Sequence, residues 1–178
     1  MLFFTTAVKE HQLEFKKLSD YEGHHGNKYL RLTAAWAKKA WGYLHGNDKD
    51  FYIREINNKK DHIYLAMYAN QPVAMFGLFE KQVDPFLDDE EERTTDYPDL
   101  KFVYLDYIYV DERFRGLGFA RQIMNKSTSL AQSLGADLMY LDTLSPKLNN
   151  FYTKYGAMVI CEGQYLDNPT DVLSIKFS

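Results

Sequence analysis

Residues 100–120, which read LKFVYLDYIYVDERFRGLGFA, decide the fold of this chain. Phe102 to Val110 form an aromatic and β-branched run of strand length, which two charged residues end. A helical pattern of apolar residues begins directly after Gly118. The stretch therefore predicts a strand, a glycine-containing turn and an amphipathic helix.

The turn between these two elements contains Gly116 and Gly118, and Arg113 and Arg115 precede them. Glycine adopts positive φ angles readily and lets a ligand approach the backbone, so several N–H groups at a helix start can converge on an anion. The two arginines add fixed positive charge. A Gly-x-Gly turn is also an ordinary connection between a strand and a helix. By itself, the turn leaves both interpretations open.

At these residues the chain resembles the GNAT superfamily of N-acetyltransferases. The acyl-CoA signature of that family has Gln or Arg, two residues, Gly, one residue, and Gly or Ala, and it is matched by Arg113, Gly116 and Gly118. A second family segment is a helical Tyr followed four residues later by Gly and a small or aromatic residue, and it is matched by Tyr152, Gly156 and Ala157. The resemblance covers about residues 13–177 and is weakest before residue 60.

Apolar periodicity predicts further elements on both sides of this stretch. Strands are predicted at residues 13–18, 62–69, 73–79, 138–144, 158–162 and 172–177. Helices are predicted along Leu30, Ala34, Ala37, Trp41 and Leu44, and at residues 51–57, 119–134 and 146–155. Alternating strands and helices with two hairpins indicate an α/β fold. The resemblance implies a GNAT-like mixed, mostly antiparallel central sheet flanked by helices, with the fourth and fifth strands splayed apart.

The resemblance also implies how acetyl-CoA would bind as the acyl donor. Backbone N–H groups of Arg115, Gly116, Leu117, Gly118, Phe119 and Ala120 would hold its pyrophosphate, with Arg113 nearby. Main-chain groups of Ile108, Tyr109 and Val110 would bind the pantetheine arm between the splayed strands and polarise the thioester carbonyl.

The chain departs from the family at one position. Seven residues before the tyrosine, where the family often has Asn, it has Ser145. We therefore expect that Ser145 only caps its helix and that Asn149 substitutes for the side-chain contact to pantetheine.

Catalysis by direct attack of an amine on the thioester needs a proton for the departing thiolate, and Tyr152 is the candidate general acid. Asp106 stands in an otherwise apolar strand and is the candidate general base or amine anchor, while Asp142 and a water chain are weaker alternatives. Strict alternation puts Asp106 on one face with Phe102, Tyr104 and Ile108, whereas a β-bulge would reverse that assignment.

Composition sets limits on the function. A chain of 178 residues with 46% hydrophobic residues fits one domain, in which residues 1–12 form an N-terminal extension. The net charge of −4 argues against nucleic-acid binding, and no apolar run is long enough to span a membrane. No signal peptide is visible, and one cysteine, Cys161, excludes an internal disulfide, so we expect a cytoplasmic protein.

We expect no catalytic or metal-binding role for three other reactive side chains, those of Cys161, His24 and His25. Cys161 is expected to be a small buried residue of a strand rather than a nucleophile. His24 and His25 lack further ligands at metal-binding spacing, so we expect a solvated turn and no metal.

An acidic loop is predicted at residues 82–100. Eight acidic residues and only one basic residue, Arg93, lie from Asp84 to Asp99. The net charge of the whole chain is −4, so the net charge of the chain without this segment is +3. The segment is either a solvated loop or a rim that attracts a cationic acceptor.

The sequence thus predicts an acetyl-CoA-dependent N-acetyltransferase that acts on a primary amine of a small molecule or a peptide. The alternative is a module of the same fold that binds acyl-CoA as a sensor or scaffold without turnover. A nucleotide-phosphate enzyme is disfavoured because the chain lacks Gly-x-x-x-x-Gly-Lys followed by Ser or Thr. The sequence leaves open whether the chain forms a homodimer through the sheet or the terminal hairpin.

Overall fold

The computed structural model describes residues 11–46, 48–80 and 100–177. Seven strands and four helices occur in this part of the chain. In chain order they are β1 (Glu14–Lys17), α1 (Gly23–Trp41), α2 (Phe51–Asn58), β2 (Ile63–Tyr68), β3 (Gln71–Phe79), β4 (Phe102–Val110), α3 (Phe119–Ser133), β5 (Leu138–Thr143), α4 (Asn149–Thr153), β6 (Met158–Tyr165) and β7 (Asn168–Lys176). The predicted acidic loop, apart from its last residue, and the predicted N-terminal extension, apart from its last two, lie outside the described residues.

The strands form one mixed sheet in the order β1-β2-β3-β4-β5-β7-β6. Strands β4 and β5 are parallel, and every other neighbouring pair is antiparallel. The predicted mixed, mostly antiparallel sheet flanked by helices is therefore confirmed.

Strands β4 and β5 separate after a short paired segment. Their register consists of Phe102 with Leu138, Val103 with Met139, and Tyr104 with Tyr140. Beyond this segment the two strands do not pair with each other, and β4 continues along β3 while β5 continues along β7. This divergence is the splay that the resemblance implies, and it opens a cleft at the carboxyl end of β4.

A β-bulge lies in the diverging part of β4. The register with β3 shifts between Met75 and Gly77, and Tyr107 has a φ of +52°. Because of the extra residue, Tyr107 packs with the cluster on the face of Tyr104, whereas Ile108 packs against the opposite cluster. The strict alternation that would put Asp106 on one face with both Tyr104 and Ile108 is therefore wrong, and the predicted alternative of a β-bulge is confirmed.

The two faces of the sheet carry separate hydrophobic clusters. One packs the sheet against α3 and α4 and includes Phe76, Phe119, Ile123, Met124, Leu141 and Tyr152. The other packs it against α1 and α2 and includes Trp36, Ile56, Leu65, Met75 and Tyr109. Full burial of each such side chain contributes about 1.5–3 kcal/mol to the free energy of folding. The two packed layers therefore hold the ends of β4 and β5 in place.

Several elements differ from their predicted bounds. Helix α1 begins at Gly23, so His24 and His25 lie in its first turn rather than in a loop. The residues of α1 before Leu30 are mostly polar or glycine, so the apolar periodicity, which starts at Leu30, does not predict these first turns. The segment predicted as one helix begins as a 3-10 turn, Pro146–Leu148, before α4.

Strand β6 is an edge strand, and its position corrects one prediction. Cys161 is exposed rather than buried, because residues 158–164 are all exposed. A strand pattern alone cannot distinguish an edge strand from a central one.

Candidate active site

A cleft of 420 Å³ opens where β4 and β5 diverge. Three segments of its wall come from the elements that the sequence singled out: residues 105–108 of β4, residues 142–145 at the end of β5, and Tyr152 of α4. A further wall comes from the end of α1, the following turn and α2. Leu148, together with Tyr165 and Thr170 of the β6–β7 hairpin, completes the lining. The fold thus brings Asp106, Ile108, Ser145 and Tyr152 to one cavity.

The glycine turn follows the end of β4 and leads into α3. Gly116 and Gly118 have φ angles of +82° and +80°. A Cβ atom at either position would meet nothing within 4 Å, so glycine is required there by the backbone conformation and not by crowding. Gly118 occupies the N-cap of α3, where no side chain makes a capping hydrogen bond. The first N–H groups of α3 therefore suit an anion.

Residues on both sides of the glycines hold the turn in place. Phe119 is 1% exposed and anchors the start of α3 in the core, whereas Leu117 is 40% exposed. The Nε of Arg115 donates to the carbonyl oxygen of Val110 at 3.2 Å, and its guanidinium carbon lies 5.9 Å from the ring centroid of Tyr109. Arg115 thus ties the turn to the end of β4.

Arg113 has a local ionic partner. Its Nε donates to Oδ1 of Asp111 at 3.1 Å, and its Nη2 donates to Oδ2 at 2.8 Å. The hydrogen bonds from Arg113 hold the pKa of the Asp111 carboxyl below its usual value. The Arg113 side chain is 75% exposed, so its guanidinium is accessible from solvent beside the turn.

Tyr152 is 7% exposed and lines the cleft from α4. Burial and, secondly, the charge of Asp106 raise the pKa of Tyr152 to about 12. The phenol therefore keeps its proton at neutral pH and can act as a hydrogen-bond or proton donor. Asp106 also accepts the backbone N–H of Tyr107 at 2.6 Å, which fixes this carboxylate at the bulge.

Tyr107 is a cleft residue that sequence reasoning missed. Its phenol oxygen lies 3.3 Å from Nζ of Lys59, which also forms an ion pair with Glu55 at 2.7 Å. Burial, followed by the charge of Asp106, raises the Tyr107 pKa, so this side chain is also protonated. No local sequence signal predicts its orientation, because the bulge that sets it arises from pairing with β3.

Ser145 and Asn149 have different surroundings. The Ser145 side chain makes no capping hydrogen bond, and this residue lines the cleft. Its backbone is held by the hydroxyl of Thr143, which accepts the Ser145 N–H at 3.2 Å and donates to its carbonyl oxygen at 2.9 Å. The expectation that Ser145 only caps its helix is therefore wrong.

The Asn149 amide is directed to β7. Its Nδ2 donates to Oδ2 of Asp171 at 2.6 Å, and its Oδ1 is buried without a hydrogen-bond partner. Asp171 is 8% exposed, so this hydrogen bond joins two polar groups inside the protein. Asn149 is not among the residues that line the cleft.

Metal-ligand clusters and membrane-spanning helices are both absent from the described part of the chain. Within residues 11–46, 48–80 and 100–177, His, Cys, Asp and Glu residues nowhere form a group of three that could hold a metal ion. The helices in the same ranges include none that is long and apolar enough to cross a membrane.

The family profile described as the acetyltransferase (GNAT) family matches residues 29–157. A comparison with curated proteins finds no significant match.

Solved structures share this architecture at low sequence identity. PH1933 from Pyrococcus horikoshii OT3 is 14% identical, with a TM-score of 0.69 over 94% of this chain and 99% of its own. Ard1 from Thermoplasma volcanium is 13% identical, with a TM-score of 0.66 over 93% of this chain and 98% of its own. A GNAT family acetyltransferase from Listeria monocytogenes 4b F2365 is 18% identical, with a TM-score of 0.63 over 93% of this chain and 94% of its own. At these identities the likeness shows the fold.

Proposed function

The chain belongs to the acetyltransferase (GNAT) family, and on this premise we propose that it transfers an acetyl group from acetyl-CoA to a primary amine of a small molecule or a peptide. The observation that carries the proposal is the separation of β4 and β5 after Tyr104 and Tyr140. The resulting cleft contains Tyr152, and the glycine turn follows the β4 strand that forms its wall.

The donor site would use mainly backbone groups. N–H groups of residues 115–120 would bind the pyrophosphate, supported by the charge of Arg113 and by the uncapped start of α3. Main-chain groups of Ile108, Tyr109 and Val110 would bind pantetheine along the part of β4 that does not pair with β5. Ser145 is better placed than Asn149 for an additional side-chain contact, because it lines the cleft and Asn149 is bonded to Asp171.

The chemical step needs two proton transfers. The neutral amine attacks the thioester carbonyl, the C–S bond breaks, and the departing thiolate takes a proton. Tyr152 would donate that proton, since the phenol is protonated at neutral pH; its raised pKa makes it a weaker acid, so donation requires a hydrogen bond from the phenol to the departing sulfur. Asp106 would accept the proton from the amine or anchor the incoming ammonium group. Both residues line the same cleft.

We further expect the acceptor to be cationic before it loses its proton, and the protein to act in the cytoplasm. The single cysteine supports a reducing compartment. A homodimer is a further expectation, and the exposed edge strand β6 offers a surface for it.

The test is a thermal melt with and without acetyl-CoA, followed by a thiol-release assay with primary amines. Ligand at about a hundred times its Kd adds roughly 2.7 kcal/mol, which corresponds to a shift of several degrees for a chain of this length. We expect a shift with acetyl-CoA, none with ATP, and amine-dependent release of CoA. A shift without release for any amine would support the non-catalytic acyl-CoA module instead. No shift would overturn the donor site.

A further inference from the structure

Tyr107 lies on a strained part of the backbone beside the cleft. Its φ of +52° is in the left-handed region, which residues other than glycine adopt rarely and only where the surrounding structure holds them. The opposite strand leaves room for its ring at Gly77. A Cβ atom on Gly77 would lie 2.6 Å from the ring of Phe79 and 3.3 Å from the ring of Tyr107. Strands β3 and β4 together therefore hold the Tyr107 side chain in one position.

The ring of Tyr107 is enclosed by groups from three other elements. The ring of Trp41, the last residue of α1, meets it edge to face, with centroids 5.7 Å apart. The Phe79 ring of β3 lies 6.2 Å away, and Nζ of Lys59, which follows α2, lies 5.3 Å from the Tyr107 centroid. Tyr107 is 8% exposed and still lines the cleft. The side chain is therefore a fixed part of the cleft wall.

The neighbouring wall of the cleft is aromatic and comes from the chain between α1 and α2. Trp41, His45 and Phe51 line this part, and the rings of His45 and Phe51 are stacked with centroids 3.8 Å apart. Tyr52 donates its hydroxyl to the carbonyl oxygen of Trp41 at 2.7 Å, which joins α1 to α2. Because this wall is apolar, a hydrogen bond beside it is stronger than the same bond in water.

The Tyr107 hydroxyl has a cationic donor on the side of α2. Nζ of Lys59 donates to the phenol oxygen at 3.3 Å and forms an ion pair with Glu55 at 2.7 Å. An ammonium group has protons to donate and no acceptor, so the phenol oxygen accepts and its own proton is left for another acceptor. Glu55 and Tyr107 line the cleft, whereas Lys59 is not among the described lining residues. Lys59 therefore reaches the cleft through these two partners.

The charges around Tyr107 make its hydroxyl a hydrogen-bond donor. Burial, followed by the charges of Asp106 and Glu55, raises the pKa of Tyr107, so the phenol is protonated. A cation that binds the phenol oxygen polarises the O–H bond and strengthens its donation. Asp106 and Asp142, the other lining carboxylates, have interactions of their own, and donation by Tyr107 needs neither of them to be unpaired. Such a donor stabilises negative charge that develops in the cleft.

We propose that the Tyr107 hydroxyl donates a hydrogen bond to the thioester carbonyl oxygen as negative charge develops there, and that Lys59 is a positioning residue that acts through this hydroxyl. The proposal rests on the acetyltransferase function proposed above. Tyr107 directly precedes Ile108, whose main-chain groups are expected to polarise the same carbonyl. Tyr107 would thus add a side-chain donor to the main-chain donors, and it transfers no proton. Tyr152 would remain the proton donor to the thiolate.

The test is a double-mutant cycle in kcat with Tyr107→Phe, Lys59→Met and the double variant, on whichever of propylamine, spermidine and a short peptide the wild type acetylates fastest. We expect Tyr107→Phe to lower kcat at least about tenfold and Lys59→Met about threefold to tenfold, with the KM for acetyl-CoA nearly unchanged. The double variant should be no slower than Tyr107→Phe, because Lys59 has lost the group through which it acts. Lys59→Met also leaves Glu55 without its cation, and an effect through Glu55 would persist in the double variant.

Two substitutions outside the cleft serve as controls. Tyr64→Phe removes the hydroxyl of a half-buried tyrosine that stacks on Phe76, and Lys60→Met removes the exposed neighbouring ammonium. Both should leave kcat unchanged. A melt with acetyl-CoA checks that each variant is folded, and Lys59→Gln replaces Lys59→Met, with the same expectation, if the latter does not fold.

The outcomes separate this proposal from the acetyltransferase function on which it rests. An unchanged kcat in Tyr107→Phe, with a normal melting shift, would overturn the donor role of its hydroxyl. A double variant slower than Tyr107→Phe by the full factor of Lys59→Met would overturn the positioning role of Lys59. Both results leave the acetyltransferase function standing. Absence of CoA release by the wild type with all three amines would overturn that function, and this proposal with it.

Discussion

Asp106 of strand β4 and Tyr152 of helix α4 lie close enough for the carboxylate charge to oppose ionisation of the phenol. They belong to elements that are far apart in the chain, and the divergence of β4 from β5 opens the cavity that both line. The two candidate catalytic groups are therefore electrostatically linked. A change at one should alter the titration of the other.

Tyr152→Phe should lower kcat at least about tenfold with little change in the affinity for acetyl-CoA. The substitution removes the proton donor but keeps the buried ring, so the loss falls on the transition state. Steady-state kinetics together with the acetyl-CoA melting shift would measure both quantities. An unchanged kcat would remove Tyr152 from the mechanism.

The pH dependence of kcat offers a second test of Tyr152. Because its pKa is raised to about 12, the phenol stays protonated through the range in which an ordinary tyrosine ionises. We expect loss of the Tyr152 proton to cause no decrease in kcat near pH 10. A decrease centred near pH 10 that is absent in Tyr152→Phe would contradict the raised pKa.

Asp106→Asn should change the pH–rate profile. If Asp106 accepts the proton from the amine, its loss removes the acidic limb of that profile and lowers kcat. The loss of charge should also lower the pKa of Tyr152. Asp137→Asn provides a carboxylate control outside the cleft. A wild-type profile in Asp106→Asn would exclude this residue as the base.

Gly118→Ala and Gly135→Ala should separate ligand binding from stability. Both glycines have positive φ angles, +80° and +73°, and a Cβ atom at either would meet nothing within 4 Å. Each substitution should cost about 1–2 kcal/mol of unfolding free energy because of the left-handed backbone. Only Gly118→Ala, at the start of α3, should also weaken acetyl-CoA binding, as measured by calorimetry. Equal affinity in both variants would argue against an anion site at this turn.

Ser145→Ala and Asn149→Ala should have opposite consequences. Ser145→Ala should weaken acetyl-CoA binding about twofold to tenfold and leave stability nearly unchanged, because the hydroxyl makes no capping bond. Asn149→Ala should cost about 1–3 kcal/mol of stability, because it leaves the buried Asp171 carboxylate without the Asn149 donor. Asn150→Ala, at an exposed neighbour, should change neither. Loss of acetyl-CoA affinity only in Asn149→Ala would assign the side-chain contact with the donor to Asn149 instead of Ser145.

Asp111→Asn should lower stability in a pH-dependent way. The pKa of Asp111 is lower in the folded protein than in the unfolded chain. The charged carboxylate therefore stabilises the fold at pH values above the pKa of the unfolded chain. This stabilisation is lost as the pH falls through the pKa of the folded protein. The difference between wild type and variant should therefore be constant from about pH 5 to 8 and shrink below about pH 4. Denaturant melts at several pH values would measure it. A difference that grows on acidification would contradict the sign.

The sequence by itself determined the local elements and the glycine turn. The aromatic and β-branched composition of Phe102–Val110, the apolar period of α3 and the positive φ angles of Gly116 and Gly118 are short-range effects, so they can be predicted from neighbouring residues. The resemblance supplied the sheet architecture and the splay, which the pairing of β4 with β5 confirms.

The tertiary structure alone decided which side chains meet. The bulge at Tyr107 depends on register with β3, and it puts Tyr104 and Ile108 against opposite clusters. The exposure of Cys161 depends on β6 being the edge of the sheet. The stacked pair of His45 and Phe51 reaches the cleft only because α1 and α2 pack on one face of the sheet. Such placements follow from contacts between distant segments, and no local pattern of residue types contains them.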